Sequence, residues 1–171
     1  NVALRYCSGS FVAFLDADDM FTDDSIEVRL QYLKDHPETD LVHAHAWRFR
    51  DGKKDGYNKK AKIHAQTVMA RKRVFEKYGL FYEYLRSKAD KEMWYRLGIH
   101  PRSPLRCLVK AKKVDFFAAY YRKHDKQMHK VRRERPEVNA EIKCVFDERI
   151  KRLQKEGITR ENTRFLCSRS A

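Results

Sequence analysis

Apolar positions in this chain follow two spacings, and the places where one gives way to the other mark its elements. Phe11, Val12, Ala13, Phe14 and Leu15 form an unbroken apolar run, which predicts a buried strand over residues 11–15. The run ends abruptly in Asp16, Asp18 and Asp19. Asp24 predicts a helix N-cap with Glu27 as its capping-box partner. Ile26, Leu30 and Leu33 keep helical spacing, and Pro37 stops that helix near His36. Residues 41–49 read as a strand, and Asp51-Gly52 as a turn into a polar, basic loop. Residues 63–69 carry a fainter strand pattern, and residues 71–78 predict a short helix closed by Gly79.

Further along, Ser87 predicts the cap of a helix with Ala89, Met93, Trp94 and Leu97 on one face. Residues 105–109 and 114–121 are strand candidates separated by a basic turn. Pro136 suits the first turn of a long amphipathic helix, with Val138, Ile142, Val145, Phe146, Ile150 and Leu153 inward and Gly157 at its end. Thr159 predicts the cap of a last short helix to Leu166. Strands and helices alternate, so the class is α/β, or α+β if a front portion precedes this chain.

Composition narrows the partners. The 171 residues suffice for one domain with a real core, and 42% hydrophobic content argues for a folded protein. Against 24 Asp+Glu stand 38 Lys+Arg, a net charge of +14 that favours anionic partners. The first fifty residues hold the acidic cluster, whereas residues 53–62, 71–77 and 122–135 are basic runs of the kind that usually form solvated faces. Four scattered cysteines, with no C-x-x-C pair, fit a reducing compartment. No signal peptide is visible, and no run approaches ~18 apolar residues. These features predict a cytoplasmic location, with a basic surface suited to peripheral contact with a membrane.

Three constellations carry candidate chemistry. Asp16 and Asp18 sit just past an apolar strand, where hard carboxylate oxygens suit Mn²⁺ or Mg²⁺ bridging to substrate phosphates. Asp90 follows Ser87 by three residues and so fits a capping box, but it is also placed to act as a general base at the lip of a cleft. Trp94, one turn on, is a core residue or a substrate platform. His124, just past a strand and beside Arg122 and Lys123, can complete a carboxylate-rich metal shell. His43 and His45 share one strand face but imply no third ligand, and ordinary strand residues are expected there.

Taken in order, these stretches resemble the back portion of a family 2 glycosyltransferase with the GT-A fold. Residues 8–19, Ser-Gly-Ser-Phe-Val-Ala-Phe-Leu-Asp-Ala-Asp-Asp, match the family's run into Leu-Asp-x-Asp-Asp, with Ser8 for the usual Ala. Pro37 to Val42 and Arg71 to Phe81 resemble its next two landmarks. The family's Glu-Asp pair and following Trp-x-Arg-Leu fall on Ala89, Asp90 and residues 94–97, so the Glu is missing and the Asp retained. Tyr121-Arg122-Lys123-His124 matches its Tyr-Arg-x-His string.

The resemblance implies a partial GT-A domain over residues 1–130, a mixed sheet flanked by helices, with residues 131–171 a helical extension packed on it. It implies metal-dependent, inverting transfer from a nucleotide-diphospho-sugar, UDP-linked by expectation, to a saccharide, lipid-linked or protein acceptor. Asp16 would contact ribose or base, and Asp18 the metal with His124 as a further ligand; Arg122 or Lys123, by their nearness to His124 alone, would add positive potential near the phosphates. Asp90 would deprotonate the acceptor, with Trp94 on the substrate side. The family's leading β-α-β-α-β half has no counterpart here, so feeble turnover by this polypeptide alone is expected, and an exposed sheet edge predicts self-association or shielding by a partner. Two other readings compete. A basic nucleic-acid-binding module explains the charge but not carboxylates at a strand end, and no nucleic-acid motif is present. A non-catalytic assembly piece is favoured only by Ala89. The family reading requires positions 16, 18, 90 and 124 to converge.

Overall fold

The computed structural model describes residues 1–57, 63–83, 85, 88–100, 103, 108–125 and 136–157. The predicted Ser87 cap, most of the 105–109 strand and the last helix from Thr159 lie outside these residues, as do the side chains of Val138, Ile142 and Leu153. The chain divides into two compact units, one of Val2–Gly79 with Lys110–Asp125, the other of Asn1, Leu80–Val109 and the chain from Lys126 onward. No helix among the described residues is long and apolar enough to cross a membrane.

The first unit holds the sheet. Its elements are α1 (Val2–Tyr6), β1 (Phe11–Ala13), β2 (Met20–Phe21), α2 (Ser25–Asp35), β3 (Leu41–Arg50), β4 (Lys53–Tyr57), a 3₁₀ turn (Ala65–Thr67), β5 (Val68–Arg71), α3 (Lys72–Tyr78) and β6 (Ala111–Arg122). The strands are ordered β1-β5-β3-β6-β2, with β4 beside the far part of β3. Among the described residues, only β3 and β6 pair in parallel. Because β5 runs antiparallel to both β1 and β3, the strands β1, β3 and β6 all point one way. Leu33 of α2 packs into a core with Val42 and Met69, flanked by Phe11 and Val114.

Several local outcomes differ from the sequence pattern. β1 stops at Ala13, opposite Met69 of β5. Leu15 is left 47% exposed, and Phe14 turns edge-on against Phe75 at 5.7 Å. Asp51 and Gly52 both take positive φ, 49° and 79°, the turn that matches strand twist, so the basic loop expected next is instead β4, a short exposed hairpin strand. Asp24 stands at the cap of α2 without a side-chain bond to the helix; its φ of −92° and ψ of 0° are not the extended capping conformation. Its carboxylate accepts from the Thr22 hydroxyl at 3.1 Å instead. Part of the basic run is structural rather than solvated. Arg71 donates to the carbonyls of Thr39 and Leu33, and Arg73 pairs with Asp40 at 2.8 Å, tying α3 to the start of β3.

The second unit is helical. In α4 (Ala89–Arg96), Met93, Trp94 and the following Leu97 are buried. In α5 (Pro136–Lys155), Val145 packs on Leu85 with Tyr82, Ala89 and Phe146 around them. Tyr95 stacks on Phe146 at 5.2 Å, so the long helix is anchored to α4. Beyond it Gly157 has φ 80°, the left-handed closure expected of the glycine that ends a helix.

Candidate active site at the carboxyl ends of the strands

Ligands of open α/β sheets bind beyond the carboxyl ends of strands, and in this sheet the chain leaving β1 continues into β2, which pairs with the end of β6. After β1 the chain makes a turn in which the Asp19 N–H donates to the Asp16 carbonyl at 3.1 Å, with Ala17 and Asp18 at its centre. β2 follows at once and pairs with β6, Met20 opposite Tyr120 and Phe21 opposite Ala119. An antiparallel register of this kind lays the residues before β2 beside those after β6. Asp18 and His124, 106 positions apart, meet as a result, with Oδ2 to Nε2 at 3.1 Å. Their side chains are 45% and 39% exposed, open to an incoming ligand.

Asp19 is the carboxylate that folds inward, at 7% exposure. One oxygen accepts from Gln66 Nε2 at 2.5 Å and the other from the Arg122 backbone N–H at 2.8 Å. Burial pushes its pKa up to about 6; the Arg122 N–H bond opposes this, while the charges of Asp18 and Asp16 reinforce it. Asp16 remains solvent-accessible, yet the protein packed around its carboxyl raises its pKa, and neighbouring Asp18 adds to the effect. The rim is therefore a dense negative spot beside the exposed Arg122, whose guanidinium lies 5.7 Å over the Phe49 ring.

The predicted residues thus divide between the two units. Asp16, Asp18, Arg122 and His124 come together at the sheet. Asp90 and Trp94 are carried by the helical unit, Asp90 half-buried in the first turn of α4. Trp94 is 1% exposed and edge-on to Phe81 at 6.4 Å, a core placement rather than an open platform. Two residues from Asp90, buried Glu92 pairs with buried Arg96 at 2.9 Å, and Arg96 also donates to the Leu80 carbonyl. That pair holds the start of the unit onto α4.

Sequence reasoning missed Gln66 and Arg29. Arg29 is fully buried, donates to Ser25 and to the carbonyls of Gln66 and Val68, and lies 4.9 Å over the Phe21 ring. Burial pushes its guanidinium down to about 10, so it stays charged at neutral pH. An arginine within the apolar spacing of a helix was the available signal. His45 contacts Asp115 at 3.2 Å, and His43 is pushed down to about 4 by burial, then by the charges of Lys113 and His45. Among the described residues, no three His, Cys, Asp or Glu side chains are grouped to hold a metal by themselves.

Two comparisons place this arrangement among known proteins. The sequence model of the family described as Glycosyl transferase family 2 matches residues 1–127. Two crystal structures of S. aureus TarS are similar in fold. The one of residues 1–349 has 17% identity and TM-score 0.53, over 71% of this chain and 38% of that one. The other has 16% identity and TM-score 0.54, over 72% of this chain and 23% of that one. The mixed sheet with flanking helices matches these GT-A neighbours. The chain spans well under half the length of either. The comparison with curated proteins returned no match.

Proposed function

The chain belongs to glycosyltransferase family 2, and from that premise we propose that its sheet edge holds the diphosphate of a nucleotide-sugar donor through a divalent cation, for transfer of the sugar to an acceptor hydroxyl. The observation that carries the proposal is the contact between Asp18 and His124. Asp18 Oδ2 and His124 Nε2 lie 3.1 Å apart, close enough that both would hold one cation between them. The chain supplies two ligands, one carboxylate oxygen and one imidazole nitrogen, a set suited to Mn²⁺ or Mg²⁺ when phosphate oxygens and water complete the shell. When bound, such a cation offsets the charge that grows on a departing diphosphate.

The protein's own groups do the rest. Asp16 accepts hydrogen bonds from the ribose or base. Arg122 adds positive potential beside the phosphates. Asp90 takes the proton of the acceptor hydroxyl as its oxygen bonds to the anomeric carbon, while the carbon–oxygen bond to the diphosphate breaks with its electron pair. A single displacement of this kind inverts the anomeric centre. UDP is the nucleotide and a saccharide, lipid-linked or protein hydroxyl the acceptor class.

Titration calorimetry with UDP in the presence of Mn²⁺ tests the reading. Binding that disappears in Asp18→Ala and His124→Ala but survives Lys54→Ala supports it. Binding that is indifferent to Asp18 and His124 overturns it.

A further inference from the structure

Asp18 and His124 are both substantially exposed, and two solvated side chains do not hold a 3.1 Å contact by themselves. Something must fix the backbone on each side. Asp19 is placed to do so. Its carboxylate ties the acidic turn to Arg122, two residues before His124, and to Gln66, across 103 and 47 positions of chain. The Arg122 bond uses a backbone N–H, which the strand presents whatever the side chain. The bond from Gln66 depends on a side chain, 2% exposed and 2.5 Å from the Asp19 oxygen.

Gln66 is itself braced from behind. Its carbonyl accepts from Arg29 Nη1 at 3.3 Å, and the same guanidinium reaches the Val68 carbonyl at 3.1 Å and the Ser25 hydroxyl at 2.7 Å. A buried cation thus locks the 3₁₀ turn to α2, and that turn presents one amide to one buried carboxylate. We propose that Gln66 is a positioning residue for the Asp18–His124 pair, acting through Asp19. Without its donor, one oxygen of a buried carboxylate loses its partner, an arrangement that proteins avoid by moving the group toward water. Asp19 would swing outward and take the Asp16–Asp19 turn with it. The role of the pair in holding metal rests on the function proposed above; its alignment by Gln66 does not.

The test uses the full chain in two arms. In the first, long-range ¹H–¹⁵N spectra of the His124 ring are recorded without ligand, with Asp18→Ala as the reference for a lost contact. Gln66→Met keeps the length and removes the donor; Gln66→Asn, for use if that variant does not fold, keeps an amide but withdraws it by one methylene. Either should move the His124 nitrogens toward the Asp18→Ala pattern, whereas Gln31→Met, an exposed amide on α2, should not. In the second arm, Mn²⁺ with UDP should bind about 10- to 100-fold more weakly to the Gln66 variant, the usual effect of losing a group that orients a ligand. A folded Gln66 variant with the wild-type His124 spectrum overturns the inference. A shifted spectrum in a chain whose wild type ignores Mn²⁺ and UDP upholds the positioning and refutes the metal reading instead.

Discussion

Asp19→Asn should uncover a pH dependence of stability that the native chain conceals. Asp19 is raised from 3.8 to about 6, mainly by burial. Between about pH 4 and 6 the folded protein therefore keeps a proton that the unfolded chain has released, and this group's contribution to stability falls as pH rises through that window. The complete loss is about 3 kcal/mol, from 1.36 kcal/mol for each pKa unit. His43 works in the opposite direction. It is lowered from 6.5 to about 4, again mainly by burial. Between about pH 4 and 6.5 the unfolded chain holds a proton that the fold excludes, so this contribution rises with pH, also by about 3 kcal/mol.

The two slopes nearly cancel in the native sequence. Removing one exposes the other. The unfolding free energy of Asp19→Asn minus that of wild type should climb by about 3 kcal/mol from pH 4 to 6 and then level off. The corresponding difference for His43→Gln should fall by a similar amount to pH 6.5. Urea denaturation followed by circular dichroism at half-unit steps, in EDTA and at constant ionic strength, measures both, and taking differences cancels the remaining carboxylates. A flat or falling curve for Asp19→Asn would refute the buried, doubly bonded Asp19 described here.

Other consequences can be checked separately. Glu92→Ala removes the carboxylate that pairs with the buried Arg96 guanidinium and should cost about 3–5 kcal/mol, read by thermal melting; a loss below about 1 kcal/mol would mean that this ion pair carries little of the unit's stability. Gly52→Ala has room for the added methyl but a φ of 79°, so it should cost about 1 kcal/mol, seen as faster hydrogen exchange in β4. Asp90→Asn should lower sugar transfer about 10²- to 10⁴-fold while binding of UDP with Mn²⁺ stays intact. Retained turnover with lost binding would place Asp90 outside the chemistry.

What the sequence disclosed, and what it hid, follows the range of the interactions. The helices α2 and α3, strand β3 and the body of α5 were legible because their periodicity and terminal Pro or Gly residues are local signals. β2 was not, since Met20 and Phe21 are a strand only by virtue of pairing with β6. β4 has no apolar alternation and reads as a basic loop; Trp47 opposite Tyr57 gives it its register. The Asp24 capping box has the right spacing but the wrong backbone angles. At the site, the exposed members Asp16, Asp18 and His124 could be named from the motif order. The supports Asp19 and Gln66 could not, because their partners lie in distant segments; Arg29 left only the trace of a charge within the apolar spacing of α2.

The central claim is that Asp18 and His124 together ligate the cation that holds the donor diphosphate. Pulsed electron paramagnetic resonance of Mn²⁺ bound with UDP tests it most directly. We expect ³¹P coupling from the nucleotide and ¹⁴N coupling from one imidazole, the latter vanishing in His124→Gln and the bound signal itself vanishing in Asp18→Ala. Bound Mn²⁺ with phosphorus but no nitrogen coupling, or with a nitrogen signal that survives His124→Gln, would contradict the account.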